Sequence, residues 1–191
     1  MLNDYSCVRL ENAFDFDLER FSSRDSQMNK WLRGKALEYQ ESGFASVWIL
    51  TPCSGDTGVV AGFFTLSNTK ITRSDVPRKQ RVSSSTTSLQ EIPASLIGKF
   101  AVDQDFKGGD VSDILMFWAQ KKTCEAAESV GSSYLVVELR GEDSSRQKLS
   151  ELYEIKFGFF PLNRHEEGRL PALAKHLKDV RMELSQIEES Q

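Results

Sequence analysis

Two short segments carry the residues that could do chemistry. In Ile97-Gly-Lys-Phe-Ala-Val-Asp-Gln-Asp-Phe-Lys-Gly-Gly-Asp-Val-Ser-Asp-Ile-Leu-Met116, an apolar run enters a turn at Gly108 and Gly109 and leaves it in a helical pattern. A strand, a glycine turn and a helix in that order aim free backbone N–H groups and the positive end of a helix dipole at one point. That point is a seat for a phosphate or diphosphate. In Leu152-Tyr-Glu-Ile-Lys-Phe-Gly-Phe-Phe-Pro161, Tyr153 stands ahead of Phe157 and Gly158. An ordinary phenol, with a pKa of about 10, keeps its proton at neutral pH and can give it to a departing thiolate. The pair suggests a cofactor with a phosphorylated tail and a reactive end near a tyrosine.

Other chemistry-bearing residues are weaker candidates. Glu138 and Asp103 could act as a base toward an ammonium acceptor, or could simply close strand ends. His165 and His176 have no partner at ligand or triad spacing. Cys7, Cys53 and Cys124 are too far apart for a zinc site or a disulfide framework, and Cys124 reads as a helix residue that fills space. Lys70, Arg73, Arg78, Lys79 and Arg81 form a basic cluster in which Asp75 is the sole acid. It is either a solvated loop or a contact for a polyanion.

Composition bounds these readings. The chain has 191 residues, 39% hydrophobic and 27% charged, with a net charge of −4. The size suits one domain with a real core. The negative balance, with a pI of about 5.3, argues against a broad nucleic-acid face but allows a local patch. No apolar run reaches the roughly 18 residues of a membrane span. The first residues lack a signal-peptide pattern, and the expectation is a cytoplasmic protein with reduced thiols.

The elements that must hold these segments follow from periodicity. A strand is expected near Val8 to Leu10. A helix capped by Asp25 or Ser26 should run to about Ser42, with Met28, Trp31, Leu32, Ala36 and Tyr39 on one face. Ala45–Thr51 and Val59–Leu66 read as a hairpin around a turn-rich Pro52–Gly58. Asn68 to Ile92 reads as a long polar loop centred on Val82–Ser88. Ala94–Val102 is the central strand, Val111–Val130 a helix, Ser133–Leu139 a strand, and Phe159–Leu162 a short strand. Asp143 or Ser144 caps a helix containing Leu149, Leu152 and Tyr153. Beyond residue 165 the chain reads as a helical tail, residues 166–191, with a stripe of Leu173, Leu177, Val180, Leu184 and Ile187. That stripe could pack on the domain or on a second copy in a homodimer.

The element order, with four segments, resembles the GCN5-related N-acetyltransferase (GNAT) superfamily and, within it, the toxins of bacterial toxin–antitoxin modules. The segments are Phe21-Ser-Ser-Arg-Asp-Ser-Gln-Met-Asn-Lys-Trp-Leu-Arg33, Val60-Ala-Gly-Phe-Phe-Thr-Leu66, Pro93-Ala-Ser-Leu-Ile-Gly-Lys-Phe-Ala-Val-Asp103 and Leu152-Tyr-Glu-Ile-Lys-Phe-Gly-Phe159. The resemblance spans residues 8–162. It implies an α/β (α+β) domain over residues 1–165, with a mixed central sheet splayed at a cofactor cleft and helices on its flanks. It implies acetyl-CoA as cosubstrate, paired by backbone groups of Phe100, Ala101 and Val102, with its diphosphate on Lys107, Gly108, Gly109, Asp110, Val111 and Ser112. Tyr153 would protonate the leaving thiolate as an amine attacks the thioester directly. In toxin relatives the acceptor is the amino group of an aminoacyl-tRNA, which the cations at Lys70, Arg73, Arg78, Lys79 and Arg81 would suit. A protein antitoxin would be a partner.

The turn departs from the family pattern of Gln/Arg-x-x-Gly-x-Gly/Ala. Counted back from Leu115 and Met116, it is Lys107 to Ser112, with Asp110 at the middle glycine. A register one residue earlier puts Gly109 there and Phe106 at the first polar position. At 4 Å and an effective dielectric of 20, a carboxylate repels each phosphate charge by about 4 kcal/mol. Two readings follow: an acetyl-CoA-dependent N-acetyltransferase, or a GNAT-fold binding or regulatory protein with impaired CoA binding. Asp110 can also serve as a helix N-cap.

Overall fold

The computed structural model describes residues 2–81, 89–164 and 168–189. The Ser/Thr-rich run at Val82–Ser88 and His165 lie outside the described residues. The strands are β1 (Tyr5–Arg9), β2 (Ser46–Pro52), β3 (Gly62–Thr72), β4 (Glu91–Val102), β5 (Tyr134–Glu138), β6 (Phe160–Pro161) and β7 (Ala172–His176). The helices are α1 (Ser26–Glu41), α2 (Val111–Val130), α3 (Asp143–Phe157) and α4 (Leu177–Glu189). The sheet order is β1-β2-β3-β4-β5-β7-β6. No helix among the described residues is long and apolar enough to cross a membrane.

The chain divides into two compact units, Met1–Ser67 with Ile97–Gln120, and Asn68–Leu96 with Lys121–Gln191. In the first, β1 and β2 pair antiparallel from Tyr5↔Pro52 to Arg9↔Trp48, and β2 and β3 from Ser46↔Leu66 to Leu50↔Gly62. Asp25 caps α1, its side chain accepting from the N–H groups of Gln27 and Met28. Leu32 and Ala36 of α1 are fully buried with Phe21, Val47, Ile49 and Phe63. Each such large apolar side chain stabilises the fold by about 1.5–3 kcal/mol. Arg33 ties the preceding loop to the helix, donating from Nε to the Leu18 carbonyl and from Nη2 to the Phe21 carbonyl.

In the second unit, β5 and β7 pair antiparallel from Tyr134↔His176 to Glu138↔Ala172, and β6 adds at Phe160↔Ala174. Tyr134 is fully buried with Ile71, Val76, Ile92, Val136 and Ala174, and its hydroxyl donates to the Gln80 carbonyl at 2.8 Å.

Three expectations change. The long loop is shorter than its polarity implied, because β3 continues to Thr72 and β4 already begins at Glu91. The expected helical tail opens with a strand: Leu173 is a β7 residue, and the helix starts only at Leu177. Pro171 disfavours helix before it, and Ala172–His176 gains a ladder on both sides, so pairing outweighs the helical spacing of Leu173 and Leu177. At the head of α3 the capping position is Glu142, without a side-chain cap bond, in place of Asp143 or Ser144.

Candidate active site

The glycine turn is built from the end of β4 outward. Asp103 follows the strand and is 6% exposed. Its carboxylate accepts from the Asp105 N–H at 2.8 Å and from the Ser22 N–H at 2.6 Å. The Gln104 N–H donates to the Ser22 carbonyl at 2.8 Å. These bonds lock the loop before α1 onto the strand end. They also commit Asp103 to a structural task, which leaves it poorly placed to act as the base considered above.

Gly108 then takes φ +87°, a left-handed conformation that glycine adopts at little cost. The Lys107 N–H is bonded to the Gln104 carbonyl, and the Asp113 and Ile114 N–H groups to the Asp110 carbonyl. Between them, the backbone N–H groups of Gly108, Gly109, Asp110, Val111 and Ser112 have no backbone partner among the described residues. Asp110 therefore opens α2 through its carbonyl. Its carboxylate is exposed and makes no hydrogen bond or ion pair among the described residues, so it is free to swing into water. A groove of about 370 Å³ lies over this turn, bordered by Tyr5, Phe106, Lys107, Gly109, Asp110 and Val111. Phe106 lies edge-on to Tyr5, whereas Lys107 stands exposed at the turn.

Arg24 joins the residues that act on this turn, with no local sign of that role in the sequence. The Lys107 ammonium is held below its ordinary pKa, first by slight desolvation at the turn and then by the Arg24 charge, with Asp103 pulling the other way. The Arg24 charge thus acts on Lys107, which adjoins the run of amides without a backbone partner among the described residues, and a bound anion would relieve the repulsion. Arg24 is far from the turn in sequence, and the bonds of Ser22 to Asp103 and Gln104 tie its loop to the end of β4.

Because Asp110 is exposed, its repulsion of a phosphate falls toward about 1 kcal/mol per charge at 4 Å, the value for bulk water. Asp110→Asn is expected to tighten binding of a diphosphate-bearing ligand at the turn about fivefold at low salt, and less at high salt where the charge is screened. Calorimetric titration at two ionic strengths checks this. A much larger gain would mean that the native turn is blocked.

At the end of β4, Phe100 and Val102 are half-buried and Ala101 is 8% exposed. Gly62 of β3 backs this stretch so closely that a Cβ there would come within 2.9 Å of the Ala101 carbonyl oxygen.

Tyr153 belongs to the second unit, on the last turns of α3. It is 8% exposed, its ring 5.9 Å from Phe157 and 5.5 Å from Phe159. Gly158, at φ +68°, reverses the chain between those two phenylalanines, and its N–H and that of Phe159 both donate to the Tyr153 carbonyl. The Tyr153 hydroxyl has no hydrogen-bond partner among the described residues. Burial pushes its pKa up to about 12. The folded form thus holds the phenolic proton more tightly than the unfolded chain does. The resulting stability is complete below pH 10 and is lost as pH rises to 12. Two units correspond to about 3 kcal/mol. Urea unfolding at pH 9 and pH 12 is expected to show that loss in the wild type and a smaller one, by this amount, in Tyr153→Phe.

The remaining candidates are accounted for by packing or pairing. Glu138 accepts from Arg164 Nη1 at 3.0 Å, with Arg140 3.9 Å away. The His176 ring lies 4.6 Å from that of Tyr134. Cys124 is buried and its thiol is pushed up by that burial, which suits an inert cysteine. Within the basic cluster, Lys70 sits in β3 and pairs with Glu91 at 2.5 Å, and Arg81 donates to the Val76 carbonyl at 3.0 Å. Arg78 and Lys79 are exposed on one 3-10 turn.

No family model matches the chain. A tRNA-acetylating toxin of Mycobacterium tuberculosis is 26% identical over 136 residues, 71% of this chain and 76% of that protein. Among solved structures, AtaT complexed with acetyl-methionyl-tRNAfMet superposes with a TM-score of 0.76 at 24% identity, covering 94% of this chain and 98% of that one. AtaTR bound with acetyl-CoA gives 0.71 at 22% identity over 94% and 98% of the two chains. A mutant of KacT gives 0.75 at 20% identity over 94% and 98%.

Proposed function

We propose that this chain, which has the GNAT fold of the tRNA-acetylating toxins, is an acetyl-CoA-dependent N-acetyltransferase whose acceptor is the amino group of an aminoacyl-tRNA. The observation that carries the reading is the run of amides from Gly108 to Ser112 at the head of α2 that have no backbone partner among the described residues, next to Lys107, whose ammonium feels the Arg24 charge. Such a turn suits the diphosphate of acetyl-CoA, with Lys107 as its first polar residue. Phe100, Ala101 and Val102 offer backbone groups to the pantetheine amides, and an N–H near Ala101 or Val102 would polarise the thioester carbonyl.

The residues' roles then follow. The acceptor nitrogen forms a bond to the acetyl carbon as the carbon–sulfur bond breaks. Tyr153 gives its proton to the departing sulfur, and the proton lost by the nitrogen replaces it through solvent. No acyl-enzyme is required.

The engagement of Asp103 and Glu138, the two carboxylates considered as a base, favours this acceptor over a lysine side chain. Asp103 is bound to two amides and Glu138 is paired with Arg164. An α-amino group, with a pKa of about 7.7–8.0, is partly neutral at physiological pH, whereas a lysine at about 10.4 is not. Arg78, Lys79 and Arg73 would meet the RNA backbone, which makes binding salt-dependent. Cytoplasm is the compartment that supplies both substrates. Two of the similar structures carry further partners, an antitoxin in one and DNA in the other. A protein antitoxin is accordingly the expected partner here.

The test is transfer from radiolabelled acetyl-CoA to aminoacyl-tRNA, with deacylated tRNA as control. Label is expected on the charged tRNA alone. Label on neither RNA, with acetyl-CoA bound, would contradict the acceptor assignment.

A further inference from the structure

Lys175 is a charged residue on β7 that is only 3% exposed. Its Nζ donates to the Phe157 carbonyl at 2.7 Å and to Glu183 Oε2 at 2.5 Å. Phe157 is the last residue of α3, and its carbonyl is among those that a helix leaves without an intrahelical partner. An ammonium at that point satisfies the carbonyl and complements the negative end of the helix dipole. Glu183 of α4 supplies the counter-charge that a buried ammonium requires.

The site so held is the turn that shapes the surroundings of Tyr153. Phe157 and Phe159, whose rings flank that of Tyr153, are separated by Gly158 alone. A Cβ on Gly158 would lie 3.5 Å from Lys175 Nζ, so the ammonium sits directly beneath the reversal. We propose that Lys175 is a positioning residue for Tyr153, anchoring the end of α3 to β7 and, through Glu183, to α4. The proposal rests on the reading of Tyr153 as proton donor. A leucine or methionine at position 175 would fill the space but leave the Phe157 carbonyl unpaired and the last turn of α3 free to fray. A proton donor displaced by a fraction of an ångström loses rate while the cofactor and acceptor bind as before.

The experiment is a double-mutant cycle on the full chain, measuring kcat and KM for acetyl transfer to aminoacyl-tRNA. Lys175→Met is expected to lower kcat about tenfold and leave the KM for acetyl-CoA within about twofold. In a Tyr153→Phe background the same substitution is expected to cost nothing further, because the group it positions is gone. Glu183→Gln, at a half-exposed site, is expected to give a smaller loss that also vanishes in that background. It carries the cycle if Lys175→Met does not fold. Undiminished losses in the Tyr153→Phe background, or no loss of kcat in either single variant, would overturn the proposal. Wild-type turnover by Tyr153→Phe would overturn both this inference and the proton-donor reading beneath it.

Discussion

Replacing Tyr153 by phenylalanine is expected to slow acetyl transfer by about 10²–10⁴-fold, the usual range for loss of a general acid, while acetyl-CoA binds as tightly as before. The substitution removes one oxygen and nothing else. The ring stays between Phe157 and Phe159, and the hydroxyl that leaves has no partner among the described residues, so the fold gives up no hydrogen bond. What is lost is a proton on the hydroxyl of a largely buried ring. With its pKa pushed up to about 12, the phenol is fully protonated at neutral pH and available as a donor. A free thiolate, near 8.5 in water, would not take a proton from so weak an acid. A sulfur leaving into the same apolar surroundings has its own pKa raised by the same desolvation, which narrows the gap. Single-turnover rates at saturating acetyl-CoA separate this loss from any change in binding. A variant that binds and transfers like the wild type would remove Tyr153 from the mechanism.

The second large effect is structural. Gly62→Val is expected to destabilise the fold by about 1–3 kcal/mol and to abolish most acetyl-CoA binding. At Gly62 even a single Cβ would press on the Ala101 carbonyl oxygen at 2.9 Å and on Leu115 Cδ2 at 3.1 Å. The Leu115 side chain can give, but the carbonyl is backbone. Valine would push the β4 backbone at the residues proposed to pair with pantetheine. Gly109 makes a sharp contrast. It has an ordinary φ and nothing within 4 Å of a Cβ, so Gly109→Ala is expected to change folding stability by less than about 0.5 kcal/mol. Urea denaturation of both variants, followed by acetyl-CoA titration, distinguishes the two sites.

Much of this arrangement is local and therefore legible. Asp25 ahead of Met28, Trp31 and Leu32 announces α1, and Gly108 with Gly109 ahead of Val111 announces the turn into α2. Tyr153 ahead of Phe157 and Gly158 marks the end of α3, whose Gly158 is in the left-handed conformation expected of a helix stop. Apart from the α3 cap, a local shift of one or two residues, the misreadings are places where distant partners decide. Polar residues from Asn68 to Thr72 look like loop, but β3 extends through them and carries Lys70 to its partner Glu91. Leu173 has helical spacing to Leu177, yet β5 and β6 claim it as strand. Arg24 carries no local sign of a role, because the bonds of Ser22 to Asp103 and Gln104 are what tie its loop to the end of β4. For Asp103 the sequence leaves both a base and a strand-end role open, because the amides that engage it are partners that sequence patterns do not display.

The most direct test of the central claim, that the turn from Lys107 to Ser112 seats the diphosphate of acetyl-CoA, is calorimetric titration of acetyl-CoA into the full chain. One saturable site is expected, with a Kd below about 100 μM, weakening as salt is raised. No binding heat at millimolar acetyl-CoA, at any of several temperatures, would contradict the account and leave the fold without its acyl donor.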